Sequence, residues 1–142
     1  MKLDLSSLKK AVGSLGQALE TASSTGFMKK LTRVQRDLVK AGVIQNFEFT
    51  YELCWKFTQR WLSANANRED AQSPLTRKDL FRMAAQHGLI KKPENWFAYS
   101  EARNITAHTY DTKKAARVYA QAAPLLADAK YLLAQLQKTA ND

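Results

Sequence analysis

Arg103 and His108 are the two side chains of this sequence best suited to act on a phosphodiester. An arginine carries a permanent charge in a planar fork that matches phosphate oxygens. A histidine takes or gives a proton near neutral pH. They stand five residues apart in Arg103-Asn104-Ile105-Thr106-Ala107-His108-Thr109-Tyr110, and the other histidine is His87. The chemistry expected of the pair is cleavage of RNA without a metal. His108 would accept the proton of a ribose 2′-hydroxyl, whose oxygen then attacks the neighbouring phosphorus. Arg103 would neutralise charge on the phosphorane oxygens. The products would be a 2′,3′-cyclic phosphate and a 5′-hydroxyl, and DNA, lacking the nucleophile, should resist. One cysteine and two histidines cannot assemble a zinc site unless carboxylates supply most ligands, so no metal and no other cofactor is expected. A plainer alternative stands beside this one. A histidine near a helix end can offset the helix dipole, and Arg103 could pair with Glu101 or Asp111 on the surface.

The charge favours a polyanionic partner. Lysine and arginine total 22 against 13 acidic residues, a net +9, and such an excess suits nucleic acid, an acidic protein or a phosphorylated ligand. A chain of 142 residues with 45% hydrophobic content is read as one domain, residues 1–142, with its own core. No apolar run approaches the roughly 20 residues of a membrane span, and Met1 to Ser6 lack the apolar block of a signal peptide. Cys54 is the single cysteine. That fits a reducing compartment, and a cytoplasmic location is the expectation.

Positioning the pair falls to helices. Leu8, Val12, Leu15 and Leu19 recur at helical spacing, and Ser23 to Gly26 is a break. A long helix is predicted from about Lys29 to Ala64. Leu31, Val34, Leu38, Ala41, Ile44, Phe47, Tyr51, Cys54, Trp55, Thr58 and Leu62 trace one face of it. Asn65 to Pro74 reads as a polar loop. Thr76 with Asp79 caps a short helix that Gly88 stops. Pro93 suits the start of a helix running to about Thr106. Asp111 is a good N-cap for a last stretch, Thr112 to Lys138, which Pro124 should kink or split. The sum is an all-α bundle of four principal helices and one short one.

Two cationic groups flank the long face and the signature. Lys29, Arg33, Arg36 and Lys40 form a stripe opposite Leu31, Val34 and Leu38. Lys113, Lys114 and Arg117 follow the signature and are candidates to hold RNA phosphates. A solvated helix face is the ordinary use of either group. Within one continuous helix, Arg103 and His108 would point about 140° apart, because each residue turns by about 100°. A second copy of the motif across a two-fold axis would remove that difficulty.

Arg103-Asn104-Ile105-Thr106-Ala107-His108-Thr109-Tyr110 resembles the R-N-x-x-x-H-x-Y signature of HEPN-domain proteins. Among these the chain looks most like the HepT toxins, also known as nucleotidyltransferase substrate-binding proteins. Asn46 to Lys56 resembles that family's F-E-F-T-x-E-L-x-W-K helix. Ser73-Pro74 through Arg82, with Gly88-Leu89-Ile90, resembles its middle helix, and Trp96 precedes the signature as it does there. The likeness spans residues 31 to 119. It implies a HEPN-like antiparallel up-and-down bundle that forms a homodimer, with the two signatures meeting in a cleft. It implies a ribonuclease toxin in which Arg103 and His108 are catalytic and Asn104 supports them. It also implies a minimal nucleotidyltransferase antitoxin that attaches AMP to the tyrosine of H-x-Y, here Tyr110. An adduct there would place bulk and negative charge where RNA phosphate should go. Two further readings stay open. One is a binding subunit that presents substrate or Tyr110 to a nucleotidyltransferase and cuts nothing. The other is a structural helical dimer whose Arg103 and His108 serve the interface.

Overall fold

The computed structural model describes residues 3–65 and 76–140. The polar loop expected before Thr76, and the Ser73-Pro74 part of the family likeness, lie outside the described residues. Among those described, the chain forms α1 (Ser6–Ser23), α2 (Thr25–Lys29), α3 (Arg33–Asn65), α4 (Arg77–Gln86), α5 (Pro93–Asn104), a 3₁₀ turn (Thr106–His108), α6 (Thr112–Ala120) and α7 (Ala122–Ala140). The expected all-α bundle is what forms.

α3 is the spine. Its 33 residues run unbroken through Gly42, a length of about 50 Å at about 1.5 Å per residue. Every longer helix of the bundle packs on it. α1 lies antiparallel to it. The Ser14 hydroxyl donates to Asn46 Oδ1 at 2.6 Å, and the Thr50 hydroxyl donates to the Ala11 carbonyl at 3.2 Å. Leu8, Val12 and Leu15 thereby meet Val43 and Phe47 in the core. Tyr51, Cys54, Phe57 and Leu62 continue the buried face. Burial pushes the Cys54 thiol far above its usual range, which leaves it an inert core residue.

The helix ends follow local chemistry. α3 begins at Arg33 and not near Lys29, because Thr32 and Gln35 close a capping box. The Gln35 amide donates to the Thr32 hydroxyl at 3.1 Å, and the Thr32 amide donates to Gln35 Oε1 at 2.9 Å. The Thr76 hydroxyl accepts from the Asp79 amide and starts α4. Gly88, at φ +77°, ends it. The Leu89 amide reaches back to the Ala84 carbonyl and that of Gly88 to Ala85, the paired bonds of a Schellman stop. The last helical stretch does split, at Gln121. Pro124 falls in the first turn of α7, where a missing N–H leaves no helical bond unmade.

α5 is held from two sides. Trp96 is buried, with its ring stacked on Phe81 at 5.1 Å and Tyr99 edge-on at 5.3 Å. The Tyr99 hydroxyl donates to Asp128 of α7 at 2.5 Å. Burial first, and then that carboxylate, keep the phenol from ionising. The end of α5, where the signature begins, is thus fixed to the core.

Part of one expected face is exposed. The helical period turns Val34 and Leu38 inward, yet they are 69% and 67% exposed, and Ala41 is exposed beside them. The apolar period of α3 continues through its first turns, where the described elements of this chain leave Val34 and Leu38 bare.

Candidate functional site

The signature occupies the last turn of α5, the 3₁₀ turn and the residues leading to α6. α5 ends at Asn104, two residues short of the expected Thr106. The Thr106 side chain explains the stop, because its hydroxyl donates to the Arg103 carbonyl at 2.8 Å and competes with the helical ladder. The chain then tightens, with the His108 amide bonded to the Ile105 carbonyl and the Asp111 amide to that of His108. Arg103 and His108 are therefore not on one continuous helix. The Asp111 carboxylate accepts from the amides of Lys113 and Lys114 at 2.9 and 3.3 Å, and α6 starts as expected.

Arg103 is gripped. Its Nε donates to Glu52 Oε1 at 2.9 Å, its Nη2 lies 3.4 Å from Glu48 Oε1, and its Nη1 donates to the Thr106 hydroxyl at 3.0 Å. Glu48 and Glu52 are four apart on α3, so both carboxylates face the same guanidinium. The surface partners considered from sequence, Glu101 and Asp111, are not the ones it uses. The arginine side chain keeps 30% of its surface exposed.

Glu52 is itself organised. Its Oε2 accepts from the Trp55 indole at 3.0 Å. Burial works to raise its carboxyl, but the Trp55 hydrogen bond and the Arg103 guanidinium, with Arg77 behind them, hold it below its ordinary value. Arg77 lies over the Trp55 ring at 4.4 Å and donates to the Tyr51 hydroxyl at 3.3 Å. Tyr51 in turn meets the Ser100 hydroxyl on α5. Two arginines and two glutamates thus form one network between α3, α4 and α5. Sequence reasoning missed Glu48, Glu52, Arg77 and Thr106. The available signal was a pair of acids four apart in the otherwise uncharged, aromatic-rich stretch from Phe47 to Trp55.

The other end of the signature is open. His108 is exposed, and among the described residues no hydrogen bond holds its imidazole. Its ring meets Tyr110 edge-on at 6.0 Å between centroids. Tyr110 is 84% exposed. Thr109 and Tyr110 line a groove of about 540 Å³ between the first turns of α3 and one face of α6. Asn104 lies on a separate cavity of about 360 Å³, beside Arg77, Phe97 and Ser100. Arg103 and His108 line neither. Lys113 and Arg117 are exposed and Lys114 is half-buried, and all three lie off the groove-lining face of α6. Of the other basic stripe, Arg33 and Lys40 line the groove, whereas Arg36 turns back to the Leu31 carbonyl at 3.0 Å.

Comparison with known proteins gives a consistent family. Residues 3–138 match the model of the family described as nucleotidyltransferase substrate binding protein like. A Haemophilus influenzae protein named "Probable ribonuclease HepT" is 39% identical over 137 residues, covering 96% of this chain and 94% of that protein. A solved H. influenzae structure, described as revealing the fold of a substrate binding domain of a nucleotidyltransferase, superposes with a TM-score of 0.88 at 39% identity. It covers 94% of this chain and 99% of its own. A solved structure from Thermus thermophilus shares the fold at 22% identity, with a TM-score of 0.65 over 89% of this chain and 98% of that one. No described helix is long and apolar enough to cross a membrane.

Proposed function

Because the chain belongs to the nucleotidyltransferase substrate-binding protein family, we propose that it is a metal-independent ribonuclease of the HepT type, with Arg103 and His108 as its catalytic residues. The observation that carries this is the state of the arginine. Two glutamates and a threonine fix the guanidinium of a side chain that is still 30% exposed. A cation held in place before substrate arrives needs no reorganisation when phosphorane charge develops. His108 supplies the proton transfer and is accessible to a strand. The 2′-oxygen attacks phosphorus as one imidazole takes its proton. The departing 5′-oxygen receives a proton from an imidazolium. A second copy of the chain supplies that second ring and closes the gap between cation and imidazole. Asn104 supports the cation, and Lys113, Lys114 and Arg117 draw the strand toward the turn.

The bare side chains of Val34 and Leu38 support a homodimer through the first turns of α3. Its basic residues lie on another side of that helix and do not oppose such pairing. Leu38→Glu should leave the fold intact, since the side chain is exposed within one chain, and should yield a monomer in sedimentation. A dimer as tight as wild type would move the interface elsewhere.

Cleavage of RNA in the presence of a chelator tests the catalytic assignment. Wild type should cut, and Arg103→Ala and His108→Ala should not while remaining folded. Persistence of cutting in His108→Ala would remove the mechanism.

A second reading has its own support. Tyr110 stands nearly free in solvent beside a groove, as a side chain presented to another enzyme would. The partner would be a minimal nucleotidyltransferase that transfers AMP to the Tyr110 hydroxyl, releasing pyrophosphate from ATP, and acts as antitoxin. Without ribonuclease activity, the chain would be that enzyme's binding subunit. Mass spectrometry after incubation with the nucleotidyltransferase and ATP should find the adduct on Tyr110. An adduct on any other residue would end this assignment.

A further inference from the structure

We propose that the groove between α3 and α6 is a ribonucleotide subsite, receiving one nucleoside monophosphate unit beside Tyr110. The proposal deepens the reading above and rests on it for the origin of that unit.

The groove has three kinds of wall, each matched to one part of a ribonucleotide. On α3, Arg33, Asp37, Lys40 and Ile44 follow at steps of four, three and four, so they share one face. Arg33 and Lys40 are the cations for phosphate. The helix amides at the mouth cannot do this, because Asp111 already takes those of Lys113 and Lys114. Asp37 lies between the two cations along the helix, yet no salt bridge among the described residues joins it to either. Its carboxylate can accept from vicinal ribose hydroxyls, a role carboxylates take in dinucleotide sites. The remaining walls are small and apolar. Ala41 from α3 and Ala115 and Ala116 from α6 line it, together with Tyr119 and Tyr110. Alanine methyls leave room for a flat ring, and the face of a tyrosine can stack on a base. The volume of about 540 Å³ falls within the roughly 300–1,000 Å³ of small-molecule sites.

Phosphate alone would need only the cations, and a lipid chain or apolar peptide would not meet a carboxylate and two cations along one wall. A nucleotide uses all three walls at once.

The test is a titration of the whole chain with AMP, followed by amide chemical shifts. Shifts should appear at Thr109, Thr112, Ala115 and Ala116. Ala116→Phe fills the slot from an exposed position and should weaken AMP binding at least tenfold. Deoxy-AMP should bind several-fold more weakly to wild type, and Asp37→Ala should erase that difference. Equal shifts from inorganic phosphate, or AMP binding unchanged in Ala116→Phe, would overturn the proposal. A tetraribonucleotide added to His108→Ala then separates the sources. Groove shifts with the tetranucleotide assign the slot to a base of an RNA strand. A response to AMP alone assigns it to a mononucleotide, as carried on Tyr110. None of these readings requires cleavage, so a chain that cuts no RNA can still bind AMP, and a nuclease can still fail to.

Discussion

Arg103 and His108 belong to one eight-residue signature and live in opposite circumstances. The arginine has its fork divided among Glu52, Glu48 and Thr106, on a helix end fixed by Trp96 and Tyr99. The histidine sits on a tight exposed turn with Tyr110 as its ring neighbour. The difference matches what the proposed chemistry asks of each group. A cation that stabilises developing charge gains from being fixed beforehand. An imidazole that exchanges protons must be reached by substrate, and its final placement can be left to a partner surface. On the proposed reading the signature is half-assembled in one chain. Its rigid half is built by the bundle, and its open half borders the stretch of α3 whose apolar face lies bare.

The widest gap should appear when both ends are cut back. Arg103→Ala and His108→Ala should each lower RNA cleavage by about 10²–10⁴-fold, but their stabilities should diverge. His108→Ala removes an exposed ring and should stay within about 0.5 kcal/mol of wild type. Arg103→Ala leaves Glu48 and Glu52 facing each other without their cation. A fully buried pair would cost more, but these side chains are a quarter to a third exposed, so about 1–2 kcal/mol is expected in urea denaturation. Equal stability in the two variants would erase the contrast between held and free.

Smaller effects should come from the grip itself. Glu52→Gln keeps an acceptor and loses the charge, so the guanidinium stays nearby with looser orientation. Cleavage should fall roughly tenfold, the scale of a misplaced catalytic group, with affinity for RNA nearly unchanged. A loss of affinity with no loss of rate would make Glu52 a binding determinant instead. Acid should act through the same carboxyl. Its folded-state value is depressed, so the stabilisation it brings is complete above the ordinary 4.5 and fades as pH falls through the lower folded value. Wild type should lose stability below that point faster than Glu52→Gln. Parallel curves would mean that the grip contributes nothing.

Much of the bundle was readable from sequence because its punctuation is local. Thr76, Gly88, Pro93 and Asp111 act within a turn of themselves, and each does what its chemistry prescribes. The Thr32–Gln35 box was equally local and shortens α3 at its start. What escaped is non-local. Arg103 and Glu52 are 51 residues apart, so no window of sequence pairs them. Val34 and Leu38 carry the same helical period as Phe47 and Tyr51. Periodicity marks a face that wants covering, but it cannot tell whether this chain or another provides the cover. For the candidate site the consequence is specific. Residue types and order were legible in the signature, and its division into a gripped and an open end was not.

The finest probe of that division is the Tyr110 hydroxyl. Tyr110→Phe keeps the ring that meets His108 edge-on at 6.0 Å and deletes one oxygen that is exposed to solvent. Since no described hydrogen bond uses that oxygen, stability should shift by less than about 0.5 kcal/mol and cleavage by less than about twofold, a change of about 0.4 kcal/mol in barrier. Tyr110→Ala removes the ring as well and should lower cleavage further, because the imidazole then loses its neighbour on an exposed turn. A large loss already in Tyr110→Phe would mean that the hydroxyl takes part in the reaction or positions the strand. The open end of the signature would then be organised by more than one ring contact, and the contrast with Arg103 would shrink accordingly.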